Sequence, residues 1–551
     1  MKKVLLIILA LSIALSCAVG FAACNRNKDD EGVITIRNLY FNDWNGEDDY
    51  TAMLEEMFDT KFKVSSYSWA DWSTQVSSSW QSDSLPNVFQ DDIDSYNFAN
   101  TYLAYVEDGS VKELPDDLSP WPNVKKLVES VADIKHFKVD GKLYGIPVAK
   151  NINGNVAEFT PFTYVYRRDW AKELKAQGKL NIEVDDDYTW TEFTALLKAF
   201  YENKCQSGNV YALADVEWGF PSIINFYKDA PHCFTYNSTK TEVVSNYATD
   251  NYVNGLRQAK AWVENGYYGY DQFRSNDGDA NKVYYGGRIG VFYENLSLTN
   301  YTTLRKNIQE TSTRRLSKEE LDDKTAIMKV SGPDGKYALE GQEDWFSMTF
   351  FSSKISDEKM EKILAIMDYL LSEEGTLFGL YGVEGHDYEK VEITADSIQG
   401  DDEYSDYNYV WKDGVGIKLL SWTKSEGTNQ YVNPYNGARY LRYMCTLGYD
   451  IIDKDPLTDT SAYPILKDWE NFMLAQQEAG NLRILKEPAE VKWLSTPTKA
   501  DRAGGVLEAA NKSVQDYLYN SGYTLDQYKN EVSKGTWETM LGEINRALGL
   551  K

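Results

Sequence analysis

The sequence predicts an α/β protein with more than one domain. Its 551 residues exceed what a single hydrophobic core normally organises. Short runs of β-forming residues alternate with amphipathic helical segments, first over residues 33–92 and again after residue 162. This alternation is typical of βαβ units in a parallel sheet, where ligands meet the loops at the carboxyl ends of the strands.

The first set of predicted elements begins with a short strand over residues 33–37 and a helix around residues 48–58. Residues 62–67 form the second predicted strand, and residues 72–82 form the second helix. Residues 85–92 follow as a buried strand that ends in carboxylates. The loops at these strand ends carry Tyr40, Asp43, Trp44, Trp69, Asp91 and Asp92.

Residues 141–170 contain two further β-forming runs with a polar connector between them. The runs, residues 143–148 and 162–166, are short and bounded by Gly, Pro or charge, so each is predicted as a strand. The second run leads into a helix over residues 169–176. The local pattern is compatible with a hairpin inside one domain and with a crossing between two lobes.

The second set of elements includes a helix with a clear start signal. Thr189 and Glu192 have the spacing of a capping box, and apolar residues follow at helical intervals. Trp190 is therefore expected to pack at the helix start rather than to contact a ligand. Gly286 and Gly287 precede a strand but lack the pattern of a phosphate-binding loop. Further predicted elements are a helix over residues 252–264, a strand over residues 344–351, the helix Asp357–Leu371 and amphipathic helices from residue 500 onward.

Charge and composition exclude some partners and favour others. The formal net charge is −27, which argues against nucleic acid and against a basic membrane-binding surface, because both need clustered Lys and Arg. Aromatic residues make up 14% of the chain, with 40 Tyr and 15 Trp. This abundance indicates that some of the rings lie on surfaces that bind a ligand.

The N-terminus has the pattern of a secretory signal. Lys2 and Lys3 precede an uncharged run over residues 4–23, and the chain then becomes abruptly polar. Residues 21–24, Phe-Ala-Ala-Cys, resemble a bacterial lipobox, which predicts a signal peptide over residues 1–23, lipidation of Cys24 and a linker over residues 24–30. The alternatives are a box at residues 14–17 and an uncleaved membrane anchor.

No cofactor or metal site is predicted. Cys205, Cys233 and Cys445 lack the spacing of a disulfide framework or a zinc site, so one bridge with a spare thiol and three free thiols remain open. The chain has 3 His. Acidic clusters at residues 185–187 and 401–403 lack the EF-hand pattern and are expected to be solvated faces, with calcium as the alternative.

Six segments in a fixed order then resemble one protein family. They are LPNVFQDD at residues 85–92, GKLYGIP at 141–147, YVYRRDW at 164–170, TWTEF at 189–193, GGRIGVF at 286–292 and MDYLLSEEGTLFGLYGVEG at 367–385. Together with the lipobox, they resemble the extracellular solute-binding proteins of ABC importers, in the lipoprotein branch related to maltodextrin-binding proteins. The resemblance implies a two-lobed, periplasmic-binding-protein-like α/β fold with interlobe hinge strands and a ligand cleft.

The resemblance also implies an assignment of the chain to the two lobes. Lobe 1 would comprise residues 31–150 and a returning segment over residues 336–393. Lobe 2 would comprise residues 151–335, and residues 394–551 would be mostly lobe 2 plus C-terminal helices. Residues 141–170 lie between the two sets of βα units, so the crossing between lobes becomes the preferred interpretation of this stretch.

Candidate ligand contacts follow from the family's cleft. The residues implied are Tyr40, Asp43, Trp44 and Asp92 from the first lobe, and Arg168, Trp218, Glu294 and Trp345 from the crossing and the second lobe. For each aromatic residue the alternative is core packing. For Arg168 it is a structural pair with a nearby acid, and for the carboxylates it is helix capping or a surface position. No catalytic residue is predicted.

The expected function is capture of a carbohydrate by a monomeric protein that is lipid-anchored at the bacterial cell surface, on the outer face of the cytoplasmic membrane. The carbohydrate, expected to be an oligosaccharide, would be delivered to an ABC permease. Two alternatives stay open: a surface glycan hydrolase that uses two carboxylates, and a glycan-binding protein without a transporter.

Overall fold

The computed structural model describes residues 32–41, 44–69, 71–93, 98–152, 157–206, 210–216, 221–268, 278–393, 409–412, 414–424, 431–432 and 437–550. The predicted signal peptide, Cys24, the linker and the acidic cluster at residues 401–403 lie outside these residues, as do Asp43 and Trp218. Within the described ranges, no helix is both long enough and apolar enough to span a bilayer.

The strands in chain order are β1 Val33–Asn38, β2 Lys61–Ser66, β3 Val88–Asp91, β4 Gly145–Ala149, β5 Phe162–Tyr166, β6 Asp187–Tyr188, β7 Tyr211–Asp215, β8 Phe234–Tyr236, β9 Val243–Ser245, β10 Ile289–Asn295, β11 Ala326–Val330, β12 Tyr337–Glu340, β13 Trp345–Phe351, β14 Tyr388–Glu392, β15 Tyr409–Lys412, β16 Val415–Leu419, β17 Thr423–Lys424, β18 Tyr431–Val432 and β19 Leu482–Leu485.

The helices are α1 Asp49–Met57, α2 Trp72–Gln81, α3 Ala104–Glu107, α4 Pro122–Ser130, α5 Arg168–Ala176, α6 Trp190–Lys204, α7 Asp250–Glu264, α8 Gly278–Tyr285, α9 Leu298–Thr311, α10 Lys318–Lys324, α11 Asp357–Leu371, α12 Glu373–Tyr381, α13 Tyr463–Glu478, α14 Ala489–Lys492, α15 Pro497–Tyr519, α16 Leu525–Glu531 and α17 Thr536–Ala547. A 3-10 segment, Ala438–Met444, lies between β18 and α13.

The first sheet has five strands in the order β2-β1-β3-β13-β4. β1 runs parallel to β2 and β3, and β13 runs antiparallel to β3 and β4. Its core contains Ile36, Phe89, Phe350 and Leu364. Leu441 and Met444 from the 3-10 segment belong to the same core. Residues 438–445 therefore pack on the first sheet, although residues 394–551 were expected to be mostly lobe 2.

The second sheet also has five strands, in the order β6-β11-β5-β10-β7. β10 pairs in parallel with β7 and antiparallel with β5. β5 also pairs antiparallel with β11. Both faces of this sheet are covered, because Tyr164 packs into one hydrophobic cluster and Val165 into another. The long helix α15 and α17 pack together beside α7, so the C-terminal helices belong to this half of the molecule.

The stretch over residues 141–170 crosses between the two sheets. Val148 lies in β4 of the first sheet and Tyr164 lies in β5 of the second, which confirms the interpretation as a crossing and the two-lobed fold class. The crossing is paired with a second one between β12 and β13: Lys150 N donates to Asp344 O at 2.8 Å, and Phe159 bridges to Gly341.

Two further segments cross at the same place. Leu447 N donates to Ala149 O at 2.8 Å where the chain leaves the first sheet toward α13. Gly341 N donates to Leu485 O at 2.8 Å where the C-terminal segment returns along β12. The hinge of the molecule is thus a bundle of four crossing segments held together by main-chain hydrogen bonds.

Several local predictions agree closely with the structure. The capping box of α6 is present, with Thr189 Oγ1 accepting from Glu192 N and Glu192 Oε2 accepting from Thr189 N. Trp190 stacks on Trp262 with ring centroids 5.1 Å apart, so it packs at the helix start as expected. Cys205, Cys233 and Cys445 are three free thiols, and burial raises the pKa of Cys205 to about 12.

Candidate ligand-binding cleft

One edge of the first sheet adjoins the hinge and is the candidate place for a ligand. We call it the first edge; it consists of the carboxyl ends of β1 to β4 and the amino end of β13. The antiparallel register places Met348 opposite Asp91 and Trp345 opposite Ala149, which brings these ends together. The crossing segments leave the sheet from this edge. Loops at the carboxyl ends of parallel strands are the usual place for ligands in α/β sheets.

Aromatic rings cover this edge. We call Tyr40, Trp69, Trp72, Phe346 and Tyr443 the aromatic cluster. The Tyr40 ring centroid lies 5.8 Å from that of Trp69, 6.2 Å from Phe346 and 5.1 Å from Tyr443. Trp69 is 64% exposed, whereas Trp72 is buried and donates its Nε1 hydrogen to Gln90 O at 3.1 Å. The cluster therefore has a fixed base and an exposed rim, as a stacking surface for a ligand requires.

Two adjacent carboxylates close β3 beside the cluster. Asp91 is buried; its Oδ2 accepts from the Tyr105 hydroxyl at 2.7 Å, and its Oδ1 accepts from Asp92 N at 2.9 Å. Burial raises the pKa of Asp91 to about 6. Burial, and then the neighbouring charge of Asp91, raise the pKa of Asp92 to about 6. Both groups are mainly ionised at neutral pH and can accept hydrogen bonds from hydroxyl groups.

The Tyr40 hydroxyl stays protonated beside these carboxylates. Burial raises its pKa far above the ordinary value, and the neighbouring Tyr449, Tyr443 and Asp92 raise it further. Tyr449 is 43% exposed, and its main chain is held by the hydrogen bond from Tyr449 N to Lys150 O at 2.9 Å. A neutral phenol can both donate and accept a hydrogen bond, which suits a polyhydroxylated ligand.

The second sheet presents a matching edge, which we call the second edge. It consists of the carboxyl ends of β7, β10 and β11 and the amino end of β5, where the first crossing arrives. Asp215 ends β7; it accepts from Ser222 N at 2.9 Å and from Ser222 Oγ at 2.7 Å. Burial raises the pKa of Asp215 to about 7. Glu294 is buried near the end of β10, and its Oε1 accepts from Asn295 N at 2.7 Å.

A small cavity lies behind the second edge. Its volume is about 20 Å³, and its lining includes Phe162, Ser222, Asn225 and Tyr293. Asn225 Nδ2 donates to the Tyr293 hydroxyl at 2.9 Å. A volume of this size holds about one water molecule and is too small for a sugar ring. A large ligand would therefore lie over the edge rather than inside the second sheet's core.

Trp44 lies beside the aromatic cluster, against the start of α1. Its ring packs edge-on against Phe41 and lies 5.6 Å from the Tyr440 ring, and its Nε1 donates to Asp48 Oδ2 at 2.9 Å. A Cβ at Gly437 would collide with this indole, so the chain leading into the 3-10 segment needs glycine there. Trp44 is half-buried and its ring is mainly occupied by these internal contacts.

Trp345 lies in the core, in contrast to its expected role as a ligand contact. It is 3% exposed and packs against Phe137 and Trp493, with ring centroids 5.2 Å and 6.1 Å away. Its neighbour Phe346 takes the place in the aromatic cluster. Successive side chains of a strand point to opposite faces of the sheet. The Phe346 side chain therefore leaves the face on which Trp345 packs and contacts Tyr40 and Trp69.

Arg168 lies at the opposite edge of the second sheet from Glu294. It begins α5 after the carboxyl end of β5, and its Nε donates to Asp323 Oδ1 at 2.7 Å. Its Nη1 pairs with Asp186, one of the three acids at residues 185–187. This placement agrees with the alternative of a structural pair and not with a ligand contact, because β5 separates Arg168 from the hinge side.

Some residues of the site carry a weak signal in the sequence. Trp69 stands in a strand-end loop, and its exposure could be suspected from its polar surroundings. Phe346 is one of several aromatics in β13. Tyr443 and Tyr449 come from the C-terminal portion, where no motif marks them, and only the packing of the 3-10 segment onto the first edge brings them to Tyr40.

Two α/β lobes joined by crossing segments, with aromatic and carboxylate groups on edges that adjoin the hinge, define a cleft-type binding protein. A family model described as bacterial extracellular solute-binding protein matches residues 49–376. The chain belongs to this family, which confirms the resemblance seen in the sequence.

Individual relatives agree with this assignment. The chain is 24% identical over 293 residues to the polygalacturonan/rhamnogalacturonan-binding protein YtcQ of Bacillus subtilis (strain 168), a match that covers 52% of this chain and 53% of that protein. The chain thus spans about half the length of this curated relative.

Solved structures share the whole fold. The alginate-binding protein AlgQ2, in a crystal structure without calcium ion, has a TM-score of 0.62 at 15% identity, covering 95% of this chain and 99% of that chain. The substrate-binding protein FusA of an S. pneumoniae ABC transporter, in complex with kestose, has a TM-score of 0.60 at 13% identity, covering 94% and 99% of the two chains. At sequence identities this low, the structural similarity establishes that the chains share a fold and nothing more specific.

Proposed function

We propose that this extracellular solute-binding protein captures an oligosaccharide between its two lobes and delivers it to an ABC permease. The observation that carries the proposal is the aromatic cluster with its exposed Trp69, which adjoins Asp91 and Asp92 at the hinge side of the first sheet. Aromatic faces pack against the C–H faces of sugar rings, and carboxylates accept hydrogen bonds from sugar hydroxyls. Ligands of several rings use an extended surface of this kind.

The relatives support a carbohydrate ligand. YtcQ is named for polygalacturonan and rhamnogalacturonan, AlgQ2 for alginate, and FusA was solved with kestose. These are different carbohydrates on one fold, so the fold supports the ligand class and the site must decide the individual sugar.

The proposed contacts on the first edge are Tyr40, Trp69, Asp92, Phe346 and Tyr443. On the second edge we propose Glu294, and we retain Trp218, which follows β7 in the chain and lies outside the described residues. Asp43, also outside them, follows Tyr40 in the chain and stays a candidate. Trp44 is proposed as a support of the cluster through Tyr440.

The binding test is calorimetric titration of the mature protein with a panel of oligosaccharides. We expect at least one glycan to bind stoichiometrically and Trp69→Ala to lower its affinity about tenfold or more, or about 1.4 kcal/mol. Tyr201→Ala is the control, because Tyr201 is also an exposed aromatic, at 36%, but lies on α6 away from both edges. Equal affinity of wild type and Trp69→Ala would remove Trp69 from the site.

The hydrolase alternative is tested in the same samples. Bound glycan recovered after prolonged incubation is expected to be unchanged. Products that accumulate with time would show an enzyme and contradict the transport proposal. Uptake of labelled ligand by cells that lack this protein should fall to background; unchanged uptake would favour a glycan-binding protein without a transporter.

Lipid anchoring at Cys24 is proposed from the lipobox-like residues 21–24. We expect the wild-type protein in the membrane fraction and Cys24→Ser in the medium or in an unprocessed form. Cys17→Ser serves as the control, since residue 17 ends the competing box. Release of Cys17→Ser instead of Cys24→Ser would move the anchor to residue 17.

A further inference from the structure

Two buried amide side chains adjoin the aromatic cluster. Asn38 ends β1, and Gln90 lies in β3 next to Asp91. Each of the two side chains is 1% exposed, so neither is accessible to a ligand. Their hydrogen bonds nevertheless lead to the residues that carry the rings of the cluster.

Asn38 joins two members of the aromatic cluster. Its Oδ1 accepts from Tyr40 N at 2.8 Å, and its Nδ2 donates to Tyr443 O at 3.3 Å. A main-chain N–H can only donate and a carbonyl can only accept, so this pair of partners requires both groups of an amide. The two rings joined in this way have centroids 5.1 Å apart. One buried side chain therefore connects two stretches of main chain that are distant in the sequence.

Gln90 connects the neighbouring strands and helix to the same place. Its Oε1 accepts from Leu39 N at 3.2 Å, and its Nε2 donates to Ser347 Oγ. Ser347 follows Phe346 of the aromatic cluster in β13. The main-chain oxygen of Gln90 accepts from Trp72 Nε1, so three members of the cluster lie within one residue of an Asn38 or Gln90 partner or are such a partner.

The loop that carries Tyr40 depends on these amides for its main-chain hydrogen bonds. Leu39–Phe41 form a short 3-10 turn directly after β1. The first N–H groups of a helical turn have no carbonyl partner inside the turn. Here Gln90 Oε1 and Asn38 Oδ1 accept from the N–H groups of residues 39 and 40. The two side chains thus set where the main chain of Tyr40 lies.

The end of the 3-10 segment is held on the first sheet in a similar way. Met444 O accepts from Thr349 Oγ1 at 2.7 Å. Cys445 O accepts from Ala149 N at 3.0 Å. The carbonyl just before these two is the one that accepts from Asn38. Three successive carbonyls are therefore bound by β13, β4 and β1, and the donor from β1 also holds the loop of Tyr40.

We propose that Asn38 and Gln90 are positioning residues of the cleft, an inference that rests on the proposed function. They hold the loop after β1 and the 3-10 segment so that the rings of Tyr40 and Tyr443 are in place before a ligand arrives. Rings that are already held lose less freedom on binding, so a preorganised surface binds more tightly than a mobile one. Carboxylates could not replace both amides, because the carbonyl of Tyr443 needs a donor.

Asn38→Ala tests the proposal, and Asn545→Ala is the matched control. Asn545 is also a buried amide, 4% exposed, with one acceptor and one donor bond to main chain: Oδ1 accepts from Val243 N at 2.7 Å, and Nδ2 donates to Val243 O at 2.9 Å. These bonds hold α17 to β9, which belongs to neither five-stranded sheet. The two variants thus make the same chemical change near the aromatic cluster and away from it.

The measurement is calorimetric titration of the mature protein with a panel of neutral and uronic acid tri- to hexasaccharides. We expect Asn38→Ala to lower the affinity for the best-bound member about threefold to tenfold and Asn545→Ala to change it by less than about twofold. Both variants should unfold at lower urea concentration than the wild type. The titrations are run where every variant is folded, so lower stability by itself does not lower the affinity. Equal losses of affinity in the two variants would contradict the proposal.

A double-mutant cycle with Tyr443→Ala separates positioning from a general structural effect. If Asn38 acts through this ring, Asn38→Ala should weaken binding less in the Tyr443→Ala background than in the wild type, by a factor of about two or more. Fully additive effects would contradict the proposal. If Asn38→Ala does not fold, Ser347→Ala takes its place, because it removes the acceptor of Gln90 Nε2, and unchanged affinity in that variant would overturn the proposal.

The outcomes separate this inference from the proposed function. A wild type that binds no member of the panel would overturn the proposed function and the positioning role together. A wild type that binds a glycan, with Asn38→Ala binding it equally well, would overturn the positioning role alone. Loss of affinity in Asn38→Ala but not in Asn545→Ala, with effects that are not additive in the cycle, supports both.

Discussion

Two adjacent residues of β13 differ in their surroundings: Trp345 packs in the core and Phe346 lies in the aromatic cluster. Trp345 is buried against Phe137 and Trp493, and its Nε1 has no hydrogen-bond partner in the described part of the chain. Phe346 instead contacts Tyr40 and Trp69. We expect Trp345→Ala to lower the free energy of unfolding by about 3–5 kcal/mol through the cavity it leaves.

Chemical denaturation measures this difference, with Trp69→Ala as the comparison. Because Trp69 is 64% exposed, its removal should change the free energy of unfolding by no more than about 0.5 kcal/mol. A large loss of stability at Trp69 together with a small one at Trp345 would contradict the assignment of the two residues to edge and core.

Asp215 makes stability depend on pH. Burial raises its pKa to about 7 from an ordinary value of 3.8, so the folded state holds the proton more tightly than the unfolded state. The resulting stabilisation is complete below about pH 4 and is lost as the pH rises through 7. Asp215→Asn lacks this titration, and the wild type should lose about 1–4 kcal/mol relative to it between pH 4 and pH 8. Urea unfolding of both proteins across this range measures the difference, and a constant difference would contradict the prediction.

At the scale of elements, the C-terminal segment ties the two lobes together. β19 pairs with β12 at the hinge, Trp493 enters the core of the first sheet, and α15 packs on α7 beside the second. Between them, Lys492 Nζ lies 2.6 Å from Glu343 Oε1 and 3.1 Å from Asp133 Oδ2. This short stretch therefore joins the crossing to the first lobe.

Removal of this cation should weaken the hinge. We expect Lys492→Met to lower the free energy of unfolding by about 1–3 kcal/mol, because two carboxylates then face each other without a countercharge. Lys486→Met is the matched control on the same segment; its pair with Glu158 is more than half exposed and should contribute less than about 1 kcal/mol. Equal effects of the two variants in a urea titration would show that the Lys492 cluster adds nothing specific.

At the scale of the whole molecule, we expect the four crossing segments to act as a hinge that lets the two edges approach each other around a ligand. A ligand that touches both edges binds the closed state better, and this differential affinity shifts the population toward closure. Saturating glycan should therefore reduce the radius of gyration in solution scattering. At about 100 times the Kd it should raise the free energy of unfolding by about 2.7 kcal/mol.

The control for closure is Trp69→Ala at a glycan concentration near the Kd of the wild type, where about half of the wild type is bound and a variant with about tenfold weaker binding stays mainly in the free state with its larger radius of gyration. An unchanged radius in the wild type at saturation would mean that the ligand binds one lobe alone. In that case the second-edge residue Glu294 would leave the proposed site.

Much of the local structure was determined by the sequence itself. The capping signal at Thr189, the helix Asp357–Leu371 and the strand Phe162–Tyr166 agree with the structure because each depends on neighbours within a few residues. The crossing at residues 141–170 could also be predicted, because this stretch lies in the sequence between two sets of predicted strands and helices. The family followed from short segments in a fixed order.

Only the tertiary structure decided which residues meet at the first edge. Tyr443 and Tyr40 are far apart in the sequence and meet because the 3-10 segment packs into the first core, where Asn38 Nδ2 also donates to Tyr443 O at 3.3 Å. Tryptophan and arginine are residue types that often bind sugars, yet Trp345 packs in the core and Arg168 forms ion pairs with Asp186 and Asp323. The physical reason is that residue type and periodicity report local preference, whereas burial and partners come from non-local packing that no short pattern encodes.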